Sequence, residues 1–213
     1  MLAIVPIAIL SALVNLTALA ADKPPANCRY TYTVWNVGAR KSIRRGSVSK
    51  PYAELTDKEK GPLGCTPCAE DQAEVALSNG IKFTACRKAG DAIKRALEAS
   101  LAQGQPIRSV VGYRPQVSRG PADRKGDRTE LSNHSFGAAV DVNEEHNGLY
   151  ENCLAWSKTC ALRKGGPYRP GADPMSLTDG SPAVSELKKA GFLWGGRIAG
   201  RQKDFMHFSP TGY

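Results

Sequence analysis

The most informative stretch of this sequence is SNHSFGAAVDVN, residues 132–143. In an extended chain, successive side chains alternate between the two faces of a strand. The two valines would therefore point into a core, while Asp141 between them points to the opposite face, beside small and polar neighbours. Gly137 allows the chain to turn, so that His134 can fold back beside Asp141. We interpret this segment as a buried strand that carries a functional carboxylate.

A second informative stretch, DFMHF, occupies residues 204–208. If this stretch is extended, Met and Phe face the core and His207 faces the other side, where it can join His134 and Asp141. Two imidazoles and one carboxylate around an open position are typical of a catalytic zinc site with water as the fourth ligand. Such an ion lowers the pKa of the water towards about 7 and polarises a carbonyl. We therefore expect Zn²⁺ at this site.

Four further side chains are candidates for catalysis or substrate binding. Asp204 is the natural general base, although strand alternation puts it on the wrong face unless the chain bends there or Asp204 precedes the strand. Arg114 follows a predicted strand and can hold a substrate carboxylate or stabilise an oxyanion. Tyr113 and Trp194 can each stack on a substrate or pack in the core.

Composition excludes a disordered chain, because 41% of the 213 residues are apolar and 23% are charged. Apart from the first twenty residues, no tract is long and apolar enough for a membrane protein. The formal net charge of +9 favours an acidic partner. No nucleic-acid-binding motif is present, so an anionic cell envelope is the better match. Of the three histidines, only His146 lies outside the proposed zinc site, and its neighbours are typical of a turn.

The N-terminal residues 1–20 resemble a cleavable signal peptide, with an apolar run that ends in Ala18-Leu19-Ala20. An uncleaved membrane anchor is the alternative. In an exported chain, six cysteines indicate disulfides. We expect Cys153 to pair with Cys160 and the other four cysteines, within residues 28–86, to staple the N-terminal half. A redox or zinc role for the pair Cys65 and Cys68 is the competing interpretation.

The pattern along the chain predicts a mixture of helices and strands without a βαβ rhythm, which favours an α+β fold. Helices are expected at residues 71–77, 88–102 and 182–189. Strands are expected at residues 30–35, 107–113, 136–143 and 204–209. Basic residues 40–50 are expected to form a solvated loop, within an irregular segment that spans residues 28–68. Residues 115–133 are expected to form a long loop or flap.

These motifs resemble the zinc peptidases that cut bacterial cell-wall peptides, a group that includes VanY-like D-alanyl-D-alanine carboxypeptidases and L-alanyl-D-glutamate endolysins. The signature is Ser-x-His with a Gly and an Asp at fixed distances after it, followed near the end by Asp/Glu-x-x-His. The matching positions are Ser132, His134, Gly137, Asp141, Asp204 and His207. The Gly-Tyr-Arg segment at residues 112–114 and the Gly-Phe-x-Trp-Gly-Gly segment at residues 191–196 also resemble the family.

The resemblance implies an α+β fold with a central antiparallel sheet and flanking helices, of the hedgehog/D-Ala-D-Ala peptidase type. It implies zinc on His134, Asp141 and His207, with Asp204 as the base. Arg114 would bind or stabilise the substrate, and Ser132 would lie in the substrate pocket. We expect residues 1–20 to be the signal peptide, 21–85 a disulfide-stapled extension and 86–213 the zinc peptidase core.

Two functions follow from the sequence. The first is an exported zinc metallopeptidase, periplasmic or extracellular, that acts on peptidoglycan stem peptides. We expect it to be a monomer without nucleic-acid partners and without stable membrane insertion after signal cleavage. The second is a catalytically silent, metal-stabilised module that binds the cell wall. Asp204 favours the peptidase, because a binding module has no need for a base beside the water.

Overall fold

A computed structural model describes residues 24–213, so the expected signal peptide lies outside the described residues. The described part is a mixed α+β structure, as the sequence predicts. No helix in residues 24–213 is both long and apolar enough to cross a membrane. The helices are α1 (Arg87–Ala102) and α2 (Pro182–Lys189). The strands are β1 (Asn27–Asn36), β2 (Lys41–Pro51), β3 (Gln72–Ala76), β4 (Lys82–Cys86), β5 (Val110–Val111), β6 (Gln116–Ala122), β7 (Arg128–Leu131), β8 (Val140–Val142), β9 (Leu149–Glu151), β10 (Ala161–Lys164), β11 (Leu193–Trp194), β12 (Gln202–Asp204) and β13 (His207–Ser209).

The sheet that positions the site has the strand order β11-β13-β8-β5, and all of its pairs are antiparallel. Its register places His207 directly opposite Asp141. Val140 and Val142 are fully buried, as the alternation predicts, and so is Phe208 on β13. The apolar face of α1 covers this core, since its buried residues recur at helical spacing. A central antiparallel sheet is thus present, whereas the finer likeness to the hedgehog fold stays a prediction.

A second sheet, with the order β2-β1-β6-β7, corrects the interpretation of the basic segments. Residues 41–51 form strand β2 rather than a solvated loop, and β2 pairs with β1 in a long antiparallel hairpin. Residues 116–131 form the β6–β7 hairpin rather than a flap. Charged residues suit β2 because it is an edge strand whose side chains are mostly exposed. The charged composition of residues 41–51 does not predict a strand, and pairing with β1 stabilises their extended conformation.

The helix expected at residues 71–77 is absent: residues 72–76 form strand β3, and Asp71 ends a short 3₁₀ turn. Asn79-Gly80 turns the chain, Gly80 has φ of +87°, and β3 pairs with β4 along its whole length. An Asn-Gly turn between two strands is typical of a β-hairpin, and here it overrides the apolar spacing that favours a helix. The helices expected at 88–102 and 182–189 are confirmed. The expected strands at 107–113 and 136–143 are present but shorter, at β5 and β8.

The six cysteines form three disulfides, Cys28–Cys68, Cys65–Cys86 and Cys153–Cys160. The expected Cys153–Cys160 pair is confirmed. The redox or zinc interpretation of Cys65 and Cys68 is wrong, because each is bonded to a distant cysteine. Strand β1 also pairs in parallel with β6, so the N-terminal segment and the rest of the chain share one sheet. The boundary between extension and core at residue 85 stays a prediction.

A buried glutamate fastens the β1–β2 hairpin to the segment that follows it. The Glu59 carboxylate accepts hydrogen bonds from Lys50 Nζ at 2.6 Å, Tyr30 Oη at 2.7 Å and both Thr56 N and Oγ1 at 2.9 and 2.7 Å. Burial alone would raise the pKa of Glu59, but these hydrogen bonds lower it to about 2. The ionised form therefore stabilises the fold.

Glu59→Gln should lower the free energy of unfolding at pH 7 by about 1–3 kcal/mol, because it removes charge-assisted hydrogen bonds. The folded-state pKa lies below the ordinary value of 4.5, so this stabilisation is present above pH 4.5 and disappears as the pH falls towards 2. Urea unfolding across this range measures the difference, with the exposed Glu54→Gln as the matched control. A difference from wild type that is independent of pH would contradict this assignment.

Candidate active site

Three elements bring one side chain each to a common point. His134 lies on a short 3₁₀ turn (Asn133–Phe136), Asp141 is the middle residue of β8, and His207 begins β13. Asp141 Oδ1 lies 3.0 Å from His134 Nε2 and 3.0 Å from His207 Nδ1, and these two nitrogens are 3.1 Å apart. All three residues are buried. The structure thus brings together the three metal ligands predicted from the sequence.

Gly137 is required for His134 to reach this position. It ends the 3₁₀ turn with φ of +63°, in the left-handed region that favours glycine. A Cβ at this position would also lie 2.1 Å from Gln72 Oε1 and 2.5 Å from the Cys86 backbone nitrogen. The turn therefore packs directly against the end of β4, and any larger residue would displace it.

The hydrogen bonds around His134 decide which of its nitrogens carries a proton. His134 Nδ1 lies 2.8 Å from the Gly112 carbonyl oxygen. A carbonyl only accepts, so Nδ1 donates, and the neutral ring then presents an unprotonated Nε2 to Asp141. Two acceptors consequently face each other at 3.0 Å. A proton on His207 Nδ1 can be donated to His134 Nε2 or to Asp141 Oδ1, but not fully to both. The three atoms together therefore lack positive charge.

The pKa shifts agree with this picture. Burial lowers the pKa of His134, which keeps its ring neutral. Burial would raise the pKa of Asp141, but the two histidines hold it well below the ordinary value. Burial would lower the pKa of His207, and the hydrogen bond and charge of Asp141 raise it above the ordinary value instead. The shifts of His134 and Asp141 favour the neutral imidazole and the ionised carboxylate that bind a metal ion. The raised pKa of His207 reflects the negative charge of Asp141, which a metal ion would compensate.

The residues present fit a divalent metal ion. The ligand atoms of His134, Asp141 and His207 all lie within 4.8 Å of one another. Donor atoms at typical zinc distances on a tetrahedral ion are about 3.3 Å apart, close to the spacing of this triangle. Two nitrogens and one carboxylate oxygen form a suitable set, and three protein ligands leave a position open for water or substrate.

Asp204 lies on the same side as these ligands because the chain bends after it. It ends β12, and residues 205–206 turn before β13 begins, which is the bend that strand alternation requires. Asp204 Oδ1 is buried and has no hydrogen-bond partner within residues 24–213. Burial, with a contribution from the charge of Asp141, raises the pKa of Asp204 to about 6. This carboxylate is therefore free to accept a proton.

The ligands open onto a cavity of about 590 Å³. Asp204, Arg114 and Ser132 also line it. Arg114 Nη2 donates to Asp141 Oδ2 at 2.7 Å, so this guanidinium holds the carboxylate whose other oxygen faces the histidines. Ser132 Oγ lies 3.1 Å from Ser135 Oγ at the base of the turn that carries His134.

Three other residues singled out in the sequence lie elsewhere. Tyr113 Oη donates to the Pro67 carbonyl, and Trp194 Nε1 donates to the Phe205 carbonyl. Neither Tyr113 nor Trp194 lines the large cavity, and their roles in substrate binding stay predictions. His146 Nδ1 lies 2.7 Å from Asp173 Oδ2, away from the three ligands.

Residues 125–210 match a protein-family model described as D-alanyl-D-alanine carboxypeptidase. This match supports the likeness of the segment to that peptidase family. The match includes the candidate metal ligands and Asp204, and it confirms the resemblance that the motifs indicate. Neither the curated proteins nor the solved structures contain a match to the chain.

The wall of this cavity is more basic than the sequence analysis predicts. Besides Arg114, the structure places further cationic side chains there, namely Arg40, Arg119, Arg128, Arg163 and Lys164. Trp35 and Glu151 line it as well. These residues were missed because the strands that carry them, β6 and β7 above all, were interpreted as loops. The only available signal was the density of Arg in residues 119–128.

Replacing either candidate histidine should remove metal binding. His134→Ala or His207→Ala leaves two protein ligands, so metal content after incubation with excess Zn²⁺ and dialysis should fall from about one ion per chain to a small fraction. Plasma mass spectrometry measures the content, and His146→Ala is the matched control that should keep it. Metal content equal to wild type in a folded His134→Ala protein would show that this is not the site.

Proposed function

We propose that this protein is an exported zinc-dependent peptidase that hydrolyses peptidoglycan stem peptides, in the manner of a D-Ala-D-Ala carboxypeptidase. One observation carries the proposal: within the segment that matches the peptidase family, three buried metal-binding side chains and a free carboxylate, Asp204, meet in one cavity. Zinc suits the two imidazoles and one carboxylate, and an ion without redox chemistry suits hydrolysis.

Zinc bound by His134, Asp141 and His207 would supply a Lewis acid that polarises the scissile carbonyl and lowers the pKa of water. Asp204 would take a proton from the attacking water and then return it to the amine of the leaving amino acid. The C–N bond breaks as the new C–O bond forms, so one water is consumed for each bond cut. A pKa of about 6 suits both transfers, because the carboxylate is ionised at neutral pH yet accepts a proton readily.

Arg114 would orient the Asp141 carboxylate through its 2.7 Å ion pair. Its Nε is buried and has no hydrogen-bond partner in the described part of the chain. We assign Arg114 a second role in stabilising the negative charge that develops on the substrate carbonyl. Ser132 would contribute to the wall of the substrate pocket.

Export is part of the proposal. Three disulfides indicate an oxidising compartment, since such bonds are rare in the cytosol. The net charge of +9 suits an anionic cell wall. We propose that residues 1–20 direct secretion and that the mature chain acts as a monomer outside the cytoplasm.

The competing function is a metal-stabilised binding module without activity. A buried, unpartnered carboxylate such as Asp204 costs free energy that a binding module has no reason to retain. The two functions are separated by incubating the zinc-loaded protein with purified peptidoglycan fragments and identifying the products by mass spectrometry. Release of an amino acid or peptide supports the peptidase, whereas binding without any cleavage supports the module.

Asp204→Asn should keep the metal and lose hydrolysis. Removing a general base lowers the rate about 10²- to 10⁴-fold, and the isosteric amide leaves the three metal ligands in place. Product release and zinc content are measured on the same preparation. Asp179→Asn, outside the cavity, is the control that should behave as wild type. If Asp204→Asn cleaves at the wild-type rate, Asp204 is not the base.

A further inference from the structure

Two arginines of the β6–β7 hairpin line the cavity without a carboxylate partner. They are Arg119 on β6 and Arg128 at the start of β7. Among residues 24–213, neither guanidinium has an aspartate or glutamate oxygen within 4.0 Å. The other cations of the cavity wall are all paired: Arg114 with Asp141, Arg40 and Arg163 with Glu151, and Lys164 with Glu144.

The surroundings of both guanidiniums compensate their positive charge only in part. Arg128 Nη1 donates to the Gly120 carbonyl, while its Nε is buried and has no partner in the described chain. The Arg119 guanidinium lies 5.3 Å above the centre of the Tyr213 ring. Burial lowers the pKa of Arg119, and the neighbouring charge of Arg128 lowers it further. Two like charges that are partly removed from water are stabilised by an anion between them.

The pair lines the same cavity as the candidate base, Asp204. Burial lowers the pKa of Arg119, and the charge of Asp204 opposes that effect. Arg114, the arginine expected to hold a substrate carboxylate, already donates to Asp141. Arg119 and Arg128 are therefore the guanidiniums on this wall that have no carboxylate partner among residues 24–213.

We propose that Arg119 and Arg128 form a subsite that binds the terminal carboxylate of the peptide substrate. Guanidinium groups bind carboxylates through paired, charge-assisted hydrogen bonds. A carboxylate held beside the reacting centre places the last peptide bond of the substrate at that centre. The site consequently removes a C-terminal residue and does not cut inside a stem peptide. This inference rests on the proposed function.

The test compares two synthetic stem peptides ending in D-Ala-D-Ala, one with a free C-terminal carboxylate and one with a C-terminal amide. The zinc-loaded wild-type protein should cleave the acid with a kcat/KM at least about tenfold higher than the amide. Arg119→Ala and Arg128→Ala should each lower kcat/KM for the acid by about tenfold or more, mainly through KM, and lower it much less for the amide.

Arg124→Ala is the matched control, because Arg124 is an exposed arginine in the turn of the same hairpin. Arg119→Lys keeps the charge and should lose only part of the preference. Calorimetric binding of both peptides to the Asp204→Asn protein, with and without Arg119→Lys, gives a readout that does not require turnover. The acid should bind more tightly than the amide, and Arg119→Lys should reduce that difference.

Equal kcat/KM values for the acid and the amide in the wild-type protein would overturn the subsite, as would cleavage at an internal bond regardless of the terminus. An equal loss for both peptides in the arginine variants would overturn it too. If neither peptide is cleaved, the proposed function is wrong. The calorimetric comparison of the acid and the amide then tests the carboxylate subsite independently of turnover. Equal affinity for acid and amide would refute it.

Discussion

Asp141 Oδ1 lies 3.0 Å from one ring nitrogen of each of two buried histidines, and the arrangement of the site depends on this contact. A proton on His207 Nδ1 can be donated to only one of the two other atoms, so the three atoms together lack positive charge. The surrounding structure keeps them together nonetheless. Sheet register places His207 opposite Asp141, Gly137 turns the chain so that His134 reaches them, and Gly112 fixes the His134 tautomer.

The N-terminal segment contributes to the cavity as well as to stability. Strand β1 pairs with β6, and the sheet that results supplies Trp35, Arg40, Arg119 and Arg128 to the cavity wall. Two disulfides and the Glu59 cluster hold this sheet to the rest of the chain. The matched family segment, residues 125–210, contains the candidate metal ligands, and residues before it line the same cavity.

Sequence reasoning succeeded where a short local pattern determines the structure. The alternation around Asp141 and His207 predicts that both face away from the core, and helix α1 follows from its apolar spacing. The parity problem at Asp204 predicts the bend that the structure contains.

Long-range pairing limits what the sequence can predict. Strand β2 is rich in charge and β7 is short, and both become strands through partners distant in the chain or through a hairpin. The same limit applies to the arginines. The sequence predicts that Arg114 binds the substrate, yet in the structure Arg114 forms an ion pair with Asp141. Arg119 and Arg128, which the sequence does not single out, are the arginines without a carboxylate partner among residues 24–213. The ion pairing of these arginines depends on residues distant in the sequence, so the sequence alone does not predict it.

Zinc-edge X-ray absorption of the zinc-loaded protein identifies the ligands of the ion. We expect one ion per chain, four nitrogen and oxygen ligands at about 2.0–2.1 Å and the outer-shell scattering of two imidazoles. The imidazole signal should fall to that of one ring in His207→Ala if any ion is retained. A shell with sulfur, or an all-oxygen shell without imidazole scattering, would contradict the metal site proposed from His134, Asp141 and His207.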